Sequence, residues 1–460
     1  MRRTTVRNLF DKKPIGEDIL VKGWVKSLRK SKTFCFIVLN DGSAQKDLQI
    51  IADESLAGYE DFTKCLVGSS LSIHGKLVES GGKQPIEVQA SAVEILGTTP
   101  QDYPLQKKGT SMEFLREIAH LRPRTNVFGA VFRVRHELAQ ATHKFFTDKG
   151  FYYLNTPILT AMDAEGAGEL FRVSTLDPNK LPLDKSGKVI WEKDYFGKES
   201  YLCVTGQLEA EAFACSMGSV YTFGPTFRSE NSNTTRHLSE FWMIEPEVAF
   251  ADLEEVAELG AEYIQFMIKH VLEKCPDEMA LFNSFVEKGI IAKLEKVAAT
   301  PFKRITYTEA VDILLKSNKK FEYKVEWGVD LQTEHEKFLT DEHFKGPVIV
   351  TDYPKEIKAF YMRQNEDGKT VRAMDILVPG IGEIIGGSQR EERLDIIEAK
   401  IAEEGLDPDL YKWYLDLRRY GTVPHSGFGL GFERAVMYIT GMSNIRDVIP
   451  FHRTPNHIDF

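Results

Sequence analysis

The sequence predicts an α+β chain: a small five-stranded β-barrel first, then a larger domain built on a mostly antiparallel sheet flanked by helices. Two observations carry this. Residues 1–100 contain five runs with strand alternation and one short helical stretch. Beyond residue 131, helical spacing alternates with strand–turn–strand units rather than regular strand–helix–strand repeats, the pattern of an antiparallel sheet.

The five runs are ILVKGWVKSL, TFCFIVLND, DLQIIA, SLSIHGKLVE and PIEVQASAVEIL. ESLAGYEDFTKCL reads as a helix between the third and fourth, and Gly81-Gly82 as a hairpin turn. Five strands with a helix in that place match the OB-fold, a partly open barrel that commonly binds oligonucleotides; other small β-barrels fit the same pattern. This domain is expected over 1–102, followed by a polar, proline-containing hinge over 103–130. Phe132, Leu138, Ala141 and Phe145 then recur at helical spacing, and FYYLNTP reads as a strand ended by Pro157. Asp252 and Glu255 form a capping-box signal before a long helix. Residues 276–345 are charged and helix-rich, which predicts an insertion. PVIVTDY, AFYMRQN, AMDILVP and EIIGGSQR read as the remaining strands.

The bulk composition excludes several classes. No apolar run approaches the roughly 20 residues a membrane-spanning helix needs. MRRTTVRNLFDKK is basic without an apolar core, so it is not a secretory signal, and the early Asp11 argues against a transit peptide. Five cysteines with no C-x-x-C pair predict reduced thiols and a cytoplasmic location rather than disulfides or a zinc site. A net charge of −10 argues against a generic nucleic-acid coat protein but leaves room for a local basic face.

Chemistry concentrates in three stretches. In GPTFRSENSNTTRHLSEFWMIEPE, period-2 alternation puts Arg228 and Glu230 on one face, and Phe241, Met243 and Glu245 on one face across a polar loop. Either this is a surface ribbon with ion pairs, or a ligand with charge and a flat ring occupies it. GIGEIIGG and GFGLGFER match neither the dinucleotide nor the P-loop glycine pattern; glycines in strands instead mark close backbone approach. Arg434 in the first turn of FERAVMYITG opposes the helix dipole and calls for an anion, either Glu433 or another carboxylate of the chain, or a ligand. Asp375 and Glu383 flank a strand turn, so they either bind a hard divalent cation or are solvated.

In this order the stretches resemble the three motifs of class II aminoacyl-tRNA synthetases: the helix and strand ending at Pro157, then PTFRSE…TRHLSEF, then GFGLGFER. With an OB domain in front, the chain is similar to the subgroup serving aspartate, asparagine and lysine. The resemblance implies a class II catalytic domain over 131–460 that uses ATP and Mg²⁺, and a homodimer formed through the first motif. It assigns Arg228 to the ATP α-phosphate and the amino-acid carboxylate, Glu230 to the adenine amine and Phe241 to stacking under the ring. Arg236 or His237 reaches the outer phosphates, Arg434 clamps the γ-phosphate, and Asp375 and Glu383 hold the metal. Arg228 and Arg434 are the catalytic pair; no protein nucleophile is implied.

By the same resemblance Glu165 and Gln207 hold the substrate ammonium group and Arg390 its side-chain oxygen. Ala210 stands where aspartate-specific relatives carry lysine, and Glu245 where they carry aspartate. Losing a cation and keeping an anion suits an amide, so L-asparagine and tRNA(Asn) are the implied substrates. Arg29, Phe36 and Gln49 match the positions with which this subgroup reads the anticodon, Phe36 by stacking. Barrel core is the other reading of Phe36, which shares a face with Phe34 and Val38. The aspartate branch, an amidating relative and a non-catalytic RNA-binding relative are the alternatives.

Overall fold

The computed structural model describes residues 2–82, 84–106, 109–162 and 170–460. Residues up to Arg133 form one compact unit and Val134–Asp459 a second.

In the first unit, strands β1 (Asp18–Lys30), β2 (Phe34–Asn40), β3 (Leu48–Asp53), β4 (Ser70–Glu79) and β5 (Ile86–Gly97) close into a barrel in the order β1-β2-β3-β5-β4. Alternation decides which side chains fill it: Cys35, Ile37 and Leu39 of β2 are buried, while Phe34, Phe36 and Val38 face out. The barrel-core reading of Phe36 therefore fails. Between β3 and β4 only Tyr59–Phe62 is helical, a shorter element than expected. A helix at Val6–Lys12, not anticipated from the sequence, starts where the Thr5 hydroxyl accepts from the Asn8 N–H. Its Val6 and Leu9 are fully buried in the barrel core. Residues 103–130 carry the helix Met112–Glu117, capped by Ser111, and pack Leu105, Leu115 and Phe128 into a small core of their own.

The second unit holds β6 (Tyr152–Leu154), β7 (Leu159–Thr160), β8 (Arg172–Val173), β9 (Ser200–Leu202), β10 (Ser219–Phe227), β11 (Glu240–Ala249), β12 (Lys303–Thr306), β13 (Val348–Pro354), β14 (Thr370–Val378), β15 (Gly382–Gln389) and β16 (His425–Gly431). Eight of these form one sheet in the order β12-β13-β14-β15-β16-β11-β10-β6, antiparallel except for the parallel pair at each edge. The stretch 276–345, expected as an insertion, supplies the edge strand β12 as well as helices. AFYMRQN is not a strand and makes only isolated bridges, at Met362 and Gln364. Adjacent Phe360 and Tyr361 are both buried, with Ile397 and Tyr411, which one strand face cannot accommodate.

The helix Leu253–Lys274 begins with the anticipated capping box of Asp252 and Glu255. It crosses the sheet closely at Gly260, where an added Cβ would lie 2.7 Å from Ile376 Cδ1. That approach outweighs the roughly 1 kcal/mol a mid-helix glycine costs.

Candidate active site

The antiparallel ladders of β11, β16 and β15 line up one face of the sheet into a cleft of about 340 Å³. Its floor is glycine because neighbouring side chains occupy the space above it. A Cβ on Gly427 would fall 2.2 Å from Glu247 Oε1, one on Gly429 2.7 Å from Met243 Cε, and one on Gly386 3.1 Å from Glu383 Oε1. The strand glycines thus mark close approach, by the Glu247 and Glu383 carboxylates and by the Met243 methyl.

At one end lie Arg228, Glu230, Arg236, His237, Phe241 and Arg434, all on the cleft wall. β10 ends at Phe227, so Arg228 and Glu230 follow the strand rather than sharing its face as expected; the Arg228 N–H still pairs with the Ser239 carbonyl at 3.0 Å. The Arg228 guanidinium carbon stands 5.5 Å from the centre of the Phe241 ring. His237 Nε2 is 3.8 Å from the Glu230 carboxylate, and Arg236 donates to Thr333 Oγ1 at 3.0 Å. Burial, then the neighbouring Arg434, lowers the Arg236 guanidinium below its ordinary value.

Arg434 does open the helix Phe432–Thr440, but its partner is not Glu433. Glu433 accepts from Arg135 at 2.7 Å and from the Trp242 N–H at 2.9 Å. Arg434 instead donates to Glu383, at 3.2 Å to Oε2 and 3.3 Å to the carbonyl. Asp375, on the neighbouring strand β14, takes Lys358 Nζ at 3.0 Å. Asp375 is raised from the ordinary carboxylate value by burial, while Lys358 pulls the other way. Glu336, overlooked in the sequence, accepts the Glu383 N–H at 3.2 Å; burial and then Glu383 push its carboxyl up to about 8.

Among the described residues no three acidic, histidine or cysteine side chains converge as a metal cage. Asp375 and Glu383 nevertheless both lie over Gly386, with Asp375 Oδ1 3.5 Å and Glu383 Oε1 3.1 Å from its built Cβ. Two hard oxygen donors beside an open cleft suit Mg²⁺, which binds through one or two carboxylates and completes its shell with substrate phosphates and water.

The other end is a buried charge network. The Glu245 carboxylate accepts from the hydroxyls of Thr205 and Thr222 and from the Gly206 N–H at 3.0 Å. Arg390, just past the end of β15, is buried and bonded through two nitrogens to the Glu247 carboxylate, with a third bond to Ser388 Oγ at 2.7 Å. Gln207 starts the helix Gln207–Met217 and donates to Glu211 Oε1 at 3.1 Å. Glu211 also accepts from Tyr414 at 2.8 Å and Arg418 at 2.9 Å, and meets His425 Nε2 at 2.9 Å. Burial works to raise Glu211, but Arg418 and His425 hold it below the ordinary carboxylate range. Ala210 does not line the cleft; it packs fully buried with Ala214 and Val220. Glu165 lies outside the described residues.

Glu247 and Lys358 are charged cleft residues the sequence reading missed. Glu247 continues the period of Phe241, Met243 and Glu245 and was available to the same argument. Lys358 follows the short turn Lys355–Ile357 and carries no periodic signal.

On the first unit, Arg29 pairs with Phe36 across β1 and β2, its guanidinium carbon 5.2 Å from the ring centre. Gln49 lies on the adjoining strand β3, opposite Val38, and donates to Glu87 at 2.8 Å. The three share the outer face of the barrel.

The family profile of class II tRNA synthetases (D, K and N) matches residues 111–455, and that of the OB-fold nucleic acid binding domain matches residues 19–96. An asparagine–tRNA ligase of Clostridium tetani is 58% identical over 463 residues, covering 100% of both chains. The structure of asparaginyl-tRNA synthetase from Pyrococcus horikoshii complexed with asparaginyl-adenylate superposes with a TM-score of 0.87 at 33% identity, covering 100% of this chain and 99% of that one. Asparaginyl-tRNA synthetase of Entamoeba histolytica, also with asparaginyl-adenylate, gives 0.82 at 27% identity over 96% and 97% of the two chains. With a cleft lined by the second and third motifs, and with full-length likeness on both counts, the chain belongs to the asparagine–tRNA ligases of the class II D, K and N family.

Proposed function

We infer that this chain activates L-asparagine with ATP to asparaginyl-adenylate and pyrophosphate, then transfers asparagine to the 3′ end of tRNA(Asn). The observation that carries the reading is the convergence of Arg228, Phe241 and Arg434 at one end of a cleft whose other end is the Glu245–Arg390–Glu247 group. One oxygen of the asparagine carboxylate attacks the α-phosphorus, the bond to the β-phosphate oxygen breaks, and pyrophosphate leaves. Arg228 neutralises the charge that builds at the α-phosphate and orients the carboxylate; Arg434 holds the outer phosphates in line. Phe241 and Glu230 seat the adenine, with Arg236 and His237 over the outer phosphates. Asp375 and Glu383 hold Mg²⁺, which when bound supplies positive charge to the polyphosphate.

Amide selection rests on charge. Glu247 cancels the Arg390 cation, leaving guanidinium N–H groups to donate to the side-chain oxygen of asparagine. Glu245 keeps an acceptor position for the amide NH₂, and aspartate there meets a second negative charge. This replaces Ala210 as the source of discrimination. Gln207 and Glu165 take the ammonium group. Phe36, Arg29 and Gln49 read a splayed anticodon base on the barrel.

The exposed row Tyr152, Tyr153, Ile158 and Leu159, at the edge strand β6 and just beyond, supports a homodimer through the first motif. No helix among the described residues is long and apolar enough to cross a membrane, and all five cysteines are free, in keeping with a cytoplasmic enzyme.

ATP–pyrophosphate exchange measured with asparagine and aspartate side by side tests the reading. Exchange with asparagine and little with aspartate is expected. Exchange with aspartate alone overturns the specificity, and none with either amino acid overturns the enzyme.

A further inference from the structure

Both carboxylates assigned to the metal are already neutralised by cations of the chain. Lys358 Nζ stands 3.0 Å from Asp375 Oδ2 and 3.4 Å from Oδ1, and Arg434 stands 3.2 Å from Glu383 Oε2. The two ends of the Lys358 contact are shielded to similar degrees, 16% and 14% exposed at the side chain. The ammonium also lies 4.0 Å from the centre of the buried Tyr353 ring, a cation–π contact that adds to its hold beside Asp375. A divalent ion approaching the apo cleft thus finds Asp375 with its charge spent, and must displace a partly desolvated lysine to use it.

Lysine is suited to give way. Its charge sits on a flexible four-carbon stem rather than in a rigid fork. Lys358 also lines the same cleft as Arg228 and Arg434, so a bound polyphosphate offers its ammonium another anion within the site. The same incoming phosphates compete for Arg434 and loosen it from Glu383.

We propose that Lys358 is a resident counter-ion that blocks the divalent-cation site until nucleotide enters, so that metal and ATP are taken up as one cooperative event. The proposal rests on the assignment of Asp375 and Glu383 to the metal. Reciprocity follows: if nucleotide tightens metal binding by some factor, metal tightens nucleotide binding by that factor.

Mn²⁺ serves as the probe, its free concentration read by electron paramagnetic resonance, with and without a non-hydrolysable ATP analogue. The proteins are the wild type, Lys358→Met, Lys358→Gln and Asp375→Asn, each checked for folding by circular dichroism. Without nucleotide, both Lys358 variants are expected to bind Mn²⁺ about tenfold or more tightly than wild type, the scale of one partly buried charge contact. The gain that nucleotide gives wild type shrinks in them by the same factor. Nucleotide-free affinity equal to or weaker than wild type in both folded variants, with Asp375→Asn still abolishing nucleotide-dependent binding, overturns the counter-ion and leaves the metal assignment standing. If Asp375→Asn binds Mn²⁺ with nucleotide as wild type does, the metal assignment falls and the proposal with it.

Discussion

The barrel face and the catalytic cleft solve different problems with the same strand geometry. On the barrel, Phe36, Arg29 and Gln49 reach the outer face by simple alternation, and the apolar residues between them build the core. In the cleft, alternation only delivers the side chains. What keeps them there is pairing of charge across the chain: Arg390 with Glu247, Glu211 with Arg418, Arg434 with Glu383, Lys358 with Asp375. A surface that stacks a base needs exposure. A cleft that handles a triphosphate and a zwitterion needs each buried charge answered before the ligand arrives.

That contrast can be broken experimentally. Glu211→Gln leaves Arg418 buried without its counter-charge, and a loss of about 3–5 kcal/mol in denaturant unfolding is expected. The stabilisation has a defined pH range. Because the folded-state value of Glu211 lies below its ordinary 4.5, its contribution is present above that pH and is lost as pH falls below it. Acid unfolding of the Gln variant should therefore lack this component; an identical acid profile would deny Glu211 its place in the network.

Arg434→Ala should lower the ATP–pyrophosphate exchange rate by about 10²–10³, the loss typical of one preorganised charge-stabilising donor. It should leave unfolding nearly unchanged, because Arg434 is part-exposed.

Gly427→Ala places a methyl carbon 2.2–2.5 Å from the Glu247 carboxylate atoms, so Glu247 must shift and Arg390 with it. The asparagine KM is expected to rise about tenfold, roughly the 1.4 kcal/mol of one disturbed hydrogen-bonded contact, while the ATP KM holds. A rise in the ATP KM alone would move the Glu247–Arg390 pair out of the amino-acid end.

On the barrel the expected effect falls on the other substrate. Phe36→Ala should weaken tRNA(Asn) by about 1–3 kcal/mol, the worth of one base–aromatic stack, seen as a higher tRNA KM in aminoacylation. Exchange without tRNA should be unaffected, and a fall in it would make Phe36 structural.

The sequence exposed what is periodic and hid what is pairwise. The hairpin of β10 and β11 was legible because Phe241, Met243 and Glu245 recur at spacing two, and the same count reaches Glu247. The OB barrel was legible from five alternating runs. Arg390's partner was not, because it lies 143 positions away in the chain. Nor was that of Arg434, where the adjacent Glu433 was the plausible partner until Arg135 and the Trp242 N–H claimed it. AFYMRQN misled because its apolar residues suit a strand, yet Phe360 and Tyr361 bury side by side in an aromatic cluster. Lys358 sits in irregular chain, where spacing carries no information.

The short helix at Val6–Lys12 has a practical consequence. Val6 and Leu9 are part of the barrel core, fully shielded from water. An OB module excised at the first strand would lose both side chains and bare the apolar residues they cover. Anyone trimming or tagging this protein should begin ahead of Thr5.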